Sequence, residues 1–164
     1  MIDKFNQPEL IKAVKSGNLN LVQEIFYKLN NSEINDKKWQ TAILYSNKEI
    51  LEFLIQNGAD INTKDDGGWT SLMIASFNFE LDKVELLLEK GVKVNEIEQF
   101  GQTALILCLV QGELGLSKED EIKTDKIIQL LIEYGADINI KDTHGKTALD
   151  YAKRKEHIEL LKNH

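Results

Sequence analysis

The pentapeptide GADIN occurs at Gly58–Asn62 and again at Gly135–Asn139. The first copy continues as TKDDGGWTSL, Thr63–Leu72, and the second as IKDTHGKTAL, Ile140–Leu149. Two ten-residue continuations of one kind point to a repeated structural unit, and the rest of the chain carries the same marks. Four threonines open short apolar runs: Thr41 in TAIL, Thr70 in TSLM, Thr103 in TALI and Thr147 in TALD. They lie 29, 33 and 44 residues apart. Glycines follow at Gly58, Gly91 and Gly135, at 17, 21 and 32 residues from the threonine before each. On this alignment one unit is short by four residues and another long by eleven, both between threonine and glycine.

Each segment of the unit has a physical role. A threonine ahead of an apolar run caps a helix, its hydroxyl accepting a backbone N–H. The runs EILEFLIQNG, KVELLLEKG and KIIQLLIEYG read as a second helix in each unit. In the last of these, Ile127, Leu130, Leu131 and Tyr134 are spaced to form one face. Glycine then ends the helix in the left-handed conformation. The segment ADIN is expected to leave in extended form, and KDDGG or KDTHG makes a tight turn. Upstream, PELIKAVKSGNLNLVQEIFYKL reads as a first helix pair, and TALDYAKRKEHIELLKNH as a last, more polar one.

The pattern Asp65–Gly68–Thr70, Glu98–Gly101–Thr103 and Asp142–Gly145–Thr147, on a unit of 33 residues, resembles the ankyrin-repeat family. Asp36–Trp39–Thr41 fits it with Trp39 in place of glycine. The proline of the family tetrapeptide is Ala42, Ser71, Ala104 and Ala148 here, and its histidine is Leu44, Met73, Ile106 and Asp150. The resemblance implies an all-α ankyrin-repeat solenoid of about five stacked helix-turn-helix units with hairpin-like finger loops. The expected divisions are an N-terminal capping helix pair at 1–34, a shortened repeat at 35–63 and a full-length repeat at 64–96. A repeat with an insertion near 111–122 follows at 97–140, and a C-terminal capping repeat at 141–164.

The resemblance also implies that a protein partner docks on the concave side, made by finger tips and inner-helix ends. Carried over by position, the candidates are Lys38 and Gln40 in the first finger, and Asp66 and Trp69 in the second. Gln99, Phe100 and Gln102 follow in the third, His144 and Lys146 in the last, and Phe77 comes from an inner-helix end. Aromatics ringed by polar groups are typical binding hot spots, which favours Trp69 and Phe100. For Phe77, burial and exposure are both open, and Trp39 is read as local packing. The segment Gln111–Lys126, with Gly112 and Gly115, reads as a loop that either carries recognition or is tolerated length. Within it Ser117 is placed to cap an early helical turn.

Chemistry is harder to find. The chain has 164 residues, 42% apolar and 29% charged, with a formal net charge of −7 and Arg154 as its one arginine. That balance disfavours nucleic acid and suits a neutral or basic partner. Cys108 is the single cysteine, set in the apolar run ALILCLV, and reads as a buried thiol. His144, His157 and His164 have no metal-ligand spacing, and no phosphate-binding glycine motif occurs. The reading is a non-catalytic protein-protein interaction module, cytoplasmic and monomeric, with no cofactor, no metal and no membrane association. An inhibitor or immunity-type protein and a structural adaptor are the alternatives.

Overall fold

The computed structural model describes residues 6–28, 37–112 and 117–164, with the backbone alone at 6–8 and 37–40. Two compact units divide the chain, Met1–Asp65 and Asp66–His164.

The first unit holds α1 (Asn6–Lys15), α2 (Leu19–Lys28), α3 (Lys37–Tyr45) and α4 (Lys48–Gln56). Inner helix α1 packs on α3, and outer helix α2 on α4. Leu10, Ala13 and Val14 of α1 and Val22, Ile25 and Phe26 of α2 are buried. Phe26 meets Phe53 of α4 edge to face at 5.3 Å. Asn47 caps α4, its Oδ1 accepting from the Ile50 N–H at 3.0 Å.

The helix register here corrects the expectation of a shortened repeat. Thr41 lies inside α3, four residues beyond its start at Lys37, so it is not a cap. Outer helices α4 and α6 begin 33 residues apart, at Lys48 and Leu81. Ala42, Ala75 and Cys108 recur at the same interval and are all fully buried. No residues are missing between inner and outer helix. Trp39 has no counterpart to the left-handed glycine turn, and the helix runs through it. Lys38 and Gln40 therefore lie on helical backbone instead of a finger. The 33-residue register places the segment equivalent to that finger before Lys37, outside the described residues.

The second unit holds α5 (Ser71–Phe77), α6 (Leu81–Glu89), α7 (Ala104–Gly112), α8 (Lys118–Glu133), α9 (Ala148–Tyr151) and α10 (Lys155–Lys162). Inner helices stack in the order α5, α7, α9, and outer helices in the order α6, α8, α10. Leu87 of α6 and Leu131 of α8 are fully buried. Thr70 caps α5 by accepting from the Met73 N–H at 3.3 Å, and Thr103 caps α7 in the same way from Ile106. Gly91 and Gly135 close α6 and α8 with positive φ, and the next N–H donates back to Leu87 or Leu131. The residues after Gly135 form a turn and not an extended exit, the Asn139 N–H donating to Asp137 Oδ1 at 2.9 Å.

The described part of the insertion, 111–112 and 117–126, is almost all helix, which corrects the loop expectation there, while Gly115 lies outside the described residues. Helix α8 has 16 residues against nine in α6. Ser117 caps it, accepting from the Asp120 N–H at 3.2 Å. Glu119, Asp120 and Glu121 complement the positive end of the helix dipole, and Lys123 pairs with Glu119 at 2.7 Å. The buried stripe of α8 is Thr124, Ile127, Ile128, Leu131 and Ile132, while Tyr134 is exposed. Gly112, buried at the end of α7, lets the helices approach: a Cβ there would lie 2.7 Å from Thr124 Cγ2. Asp125 ties α8 to α10, accepting from Arg154 Nη1 at 2.7 Å and facing His157 Nε2 at 2.8 Å.

Candidate protein-binding surface

Three turns in the second unit carry the candidate residues, and each is organised from below by an acid or a glycine. In the central turn Glu98 Oε1 accepts from the backbone N–H groups of Phe100 (2.8 Å) and Gln102 (3.0 Å). In the last turn Asp142 Oδ1 accepts from those of His144 (2.8 Å) and Lys146 (3.0 Å). Both acids are buried. Their second oxygens differ. Asp142 Oδ2 accepts from the Tyr151 hydroxyl. Glu98 Oε2 has no partner among the described residues, because the position four beyond Thr103 is Leu107, where Tyr151 stands four beyond Thr147. The Tyr151 hydroxyl bond, reinforced by the two backbone N–H groups, holds the Asp142 carboxyl below its usual range despite burial.

The fingers join through their backbones. The Gln99 N–H donates to the Gly67 carbonyl, and the Thr143 N–H to the Phe100 carbonyl, each at 2.9 Å. Gly68 and Gly101 face the following finger so closely that a Cβ on either would sit 3.1 Å from the Cα of Glu98 or Asp142. This close approach, with a positive φ, is the physical requirement for glycine at these two positions of the sequence pattern; at Gly145 the positive φ alone remains.

On this frame the side chains fall into a graded strip. Trp69 and Phe77 are both half-buried and meet edge to face at 5.6 Å, so Phe77 pairs within its own repeat without being covered. Phe100 is 54% exposed. Gln99 and Asp66 are exposed at the tips, and Gln102 is half-buried beside Tyr151. His144 and Lys146 are exposed, with Lys146 Nζ 5.3 Å from the centre of the Tyr151 ring. Tyr151 was not among the sequence-selected residues. It touches Gln102, Asp142 and Lys146 at once, and the signal for it was an aromatic four residues after the capping threonine. Lys38 and Gln40 stand apart from this set, in the other unit.

Elsewhere the chemistry is sparse. Burial, with a smaller contribution from the Asp125 charge, pushes the Cys108 thiol well above its ordinary range, so it is no thiolate nucleophile at neutral pH. Among the described residues no cluster of His, Cys, Asp and Glu could hold a metal ion. No described helix is long and apolar enough to cross a membrane. An open groove of about 470 Å³ between α1 and α2 bears Glu9, Lys12, Glu24 and Lys28, with Glu24 and Lys28 paired to each other at 2.6 Å. It holds none of the candidates.

A family profile described as ankyrin repeats in three copies matches residues 10–98 and 40–118, and a single ankyrin-repeat profile matches 100–143. The chain belongs to the ankyrin-repeat family. It is 40% identical over 111 residues to putative ankyrin repeat protein L86 of Acanthamoeba polyphaga mimivirus, spanning 63% of this chain and 19% of that protein. It is 36% identical over 126 residues to ANK repeat-containing protein nipk-1 of Caenorhabditis elegans, spanning 73% and 20%. Putative ankyrin repeat protein YahD of Escherichia coli is 24% identical over 184 aligned residues, covering 93% of this chain and 92% of that one. The chain thus spans about a fifth of the length of the first two relatives. Ankyrin repeats are in general protein-interaction modules without catalysis of their own.

Proposed function

We propose that this ankyrin-repeat chain binds a protein partner through the finger strip of its second unit, with Trp69, Phe77, Phe100 and Tyr151 as the aromatic ground. Asp66, Gln99, Gln102, His144 and Lys146 form the polar rim. One observation carries the reading. The scaffold satisfies its turns with buried Glu98 and Asp142, yet leaves Phe100 more than half exposed. An aromatic that no turn requires, beside a half-exposed aromatic pair, is the surface composition of an interface centre. The module is read as non-catalytic, in keeping with ankyrin repeats in general.

The test is affinity capture of the partner from the native host, followed by calorimetry with Phe100→Ala and Trp69→Ala. Each truncation is expected to remove about 2 kcal/mol or more of binding free energy. Circular dichroism checks that both variants fold. Unchanged affinity in both would move the interface away from the fingers.

A further inference from the structure

Gly58, Gly91 and Gly135 follow α4, α6 and α8 with positive φ. The residue before the glycine is Lys90 after α6 and Tyr134 after α8, but Asn57 after α4. Asn57 is the one asparagine of the chain followed by glycine. In such a pair the backbone nitrogen of the glycine can attack the asparagine side-chain carbonyl carbon and close a five-membered ring. Glycine leaves that nitrogen unshielded, because it carries no Cβ. Gly58 is also exposed, and a Cβ built on it would meet nothing within 4 Å, so the surroundings add no shield.

The closed helix end keeps the reacting groups apart. Asn57 Nδ2 donates to the Phe53 carbonyl at 2.8 Å. The Gly58 N–H donates to the Ile55 carbonyl and the Ala59 N–H to the Leu54 carbonyl, each at 3.0 Å. The Asn57 ψ of 17° turns the Gly58 nitrogen towards the nitrogen of Asn57 itself, whereas ring closure needs it turned towards Cβ. The ring therefore forms only when the last turn of α4 opens, and helix ends open more readily than cores.

We propose that Asn57 is a site of spontaneous covalent modification, gated by the last turn of α4 and self-reinforcing once it has occurred. In the opened turn the Gly58 nitrogen gives its proton to a solvent base and attacks Asn57 Cγ. The Cγ–Nδ2 bond breaks, and ammonia leaves a succinimide behind. Water then opens the ring at one of its two carbonyls. The products are aspartate, or isoaspartate with the backbone routed through Cβ and Cγ. One water is consumed and one ammonia released, with no oxidant or reductant. Neither product remakes the closed turn. A carboxylate has no N–H to donate to Phe53, and its charge lies at the negative end of the α4 dipole. Isoaspartate also adds a backbone carbon ahead of Gly58, which displaces the N–H groups that return to Ile55 and Leu54.

The experiment ages the full chain in mildly alkaline buffer, folded and in guanidinium, and follows the tryptic peptide 49–64 by mass spectrometry. That peptide also holds Asn62, whose successor Thr63 is β-branched, as an internal reference. Asp66–Gly67 can close the same ring, but it loses no ammonia and lies in the next peptide. The expected result is conversion of the Asn57 amide to acid, ahead of Asn62 in guanidinium, with isoaspartate recognised by an isoaspartyl methyltransferase. Conversion in the folded chain is expected to be roughly tenfold slower or more. Asn57→Asp, which carries one product from the start, is expected to unfold at a lower denaturant concentration at neutral pH. An amide that outlasts Asn62 in guanidinium overturns the site, and equal rates in the two conditions overturn the gate. An Asn57→Asp chain as stable as the parent overturns the self-reinforcement.

Discussion

Gly101 and Gly145 offer a controlled perturbation. Both have positive φ, 76° and 75°. Alanine at either must adopt the left-handed conformation, at a cost of about 1–2 kcal/mol. Both changes also restrict the unfolded chain, which returns about 0.4–1 kcal/mol. The two sites differ in one respect. A Cβ at Gly145 has nothing within 4 Å, whereas at Gly101 it would lie 3.1 Å from Asp142 Cα and 3.2 Å from Thr143 N. Those are backbone atoms of the next finger, and the Thr143 N–H is already committed to the Phe100 carbonyl at 2.9 Å. Relief requires the fingers to part and that bond to lengthen. Forced overpacking of this kind costs about 1–3 kcal/mol. Gly145→Ala is therefore expected to lose about 1 kcal/mol, and Gly101→Ala about 2–4 kcal/mol. Urea unfolding followed by circular dichroism measures both, provided the slope with denaturant is unchanged. Equal losses at the two sites, or a larger loss at Gly145, would refute the argument that the fingers are packed backbone to backbone.

Other outcomes follow from the same geometry. Leu87→Ala and Leu131→Ala each open a cavity at a fully buried site, and equilibrium denaturation should show a loss of about 2–5 kcal/mol. Gly112→Ala should cost about 1–3 kcal/mol by crowding Thr124, and a double-mutant cycle with Thr124→Ser, which removes the crowded methyl, should recover much of it. Asp125→Ala removes the acceptor that Arg154 and the buried His157 share, so hydrogen exchange of α10 should quicken while that of α5 stays the same. Because the folded Asp142 pKa is depressed, chiefly by the Tyr151 hydroxyl, its contribution is full above the unfolded carboxylate pKa. It is lost as pH falls through the folded value. Tyr151→Phe should thus lower stability at neutral pH and converge on the parent in acid, as thermal melts across pH would show.

Much of this architecture was legible because its signals are local. Helix-ending glycines need no partner to be recognised, and Leu87 and Leu131 announce their burial by period alone. Thr41 misled because a threonine before apolar residues looks the same at a helix start and one turn inside. The buried small residues Ala42, Ala75 and Cys108 held the true register. The polar stretch from Lys118 showed no apolar period, since its first six residues are not buried and only Thr124 begins the packed stripe. A cap and a favourable charge order build that part of α8. Among the binding candidates, Trp69 and Phe100 could be placed on fingers from spacing. Tyr151 could not, because its role depends on a hydroxyl meeting an acid nine residues earlier and a glutamine from another repeat.

The acids beneath the turns separate two kinds of selection. Glu98 and Asp142 shape their loops through backbone N–H groups, which every residue except proline supplies. The turn is thus indifferent to which side chain stands at the tip. Positions 99, 100, 143 and 144 can be rewritten with little effect on folding, so folding does not filter drift at the tips. On the proposed finger interface, a lineage carrying this chain can change allegiance through a few codons while its core stays as it is, and an engineer can randomise those four positions for the same reason.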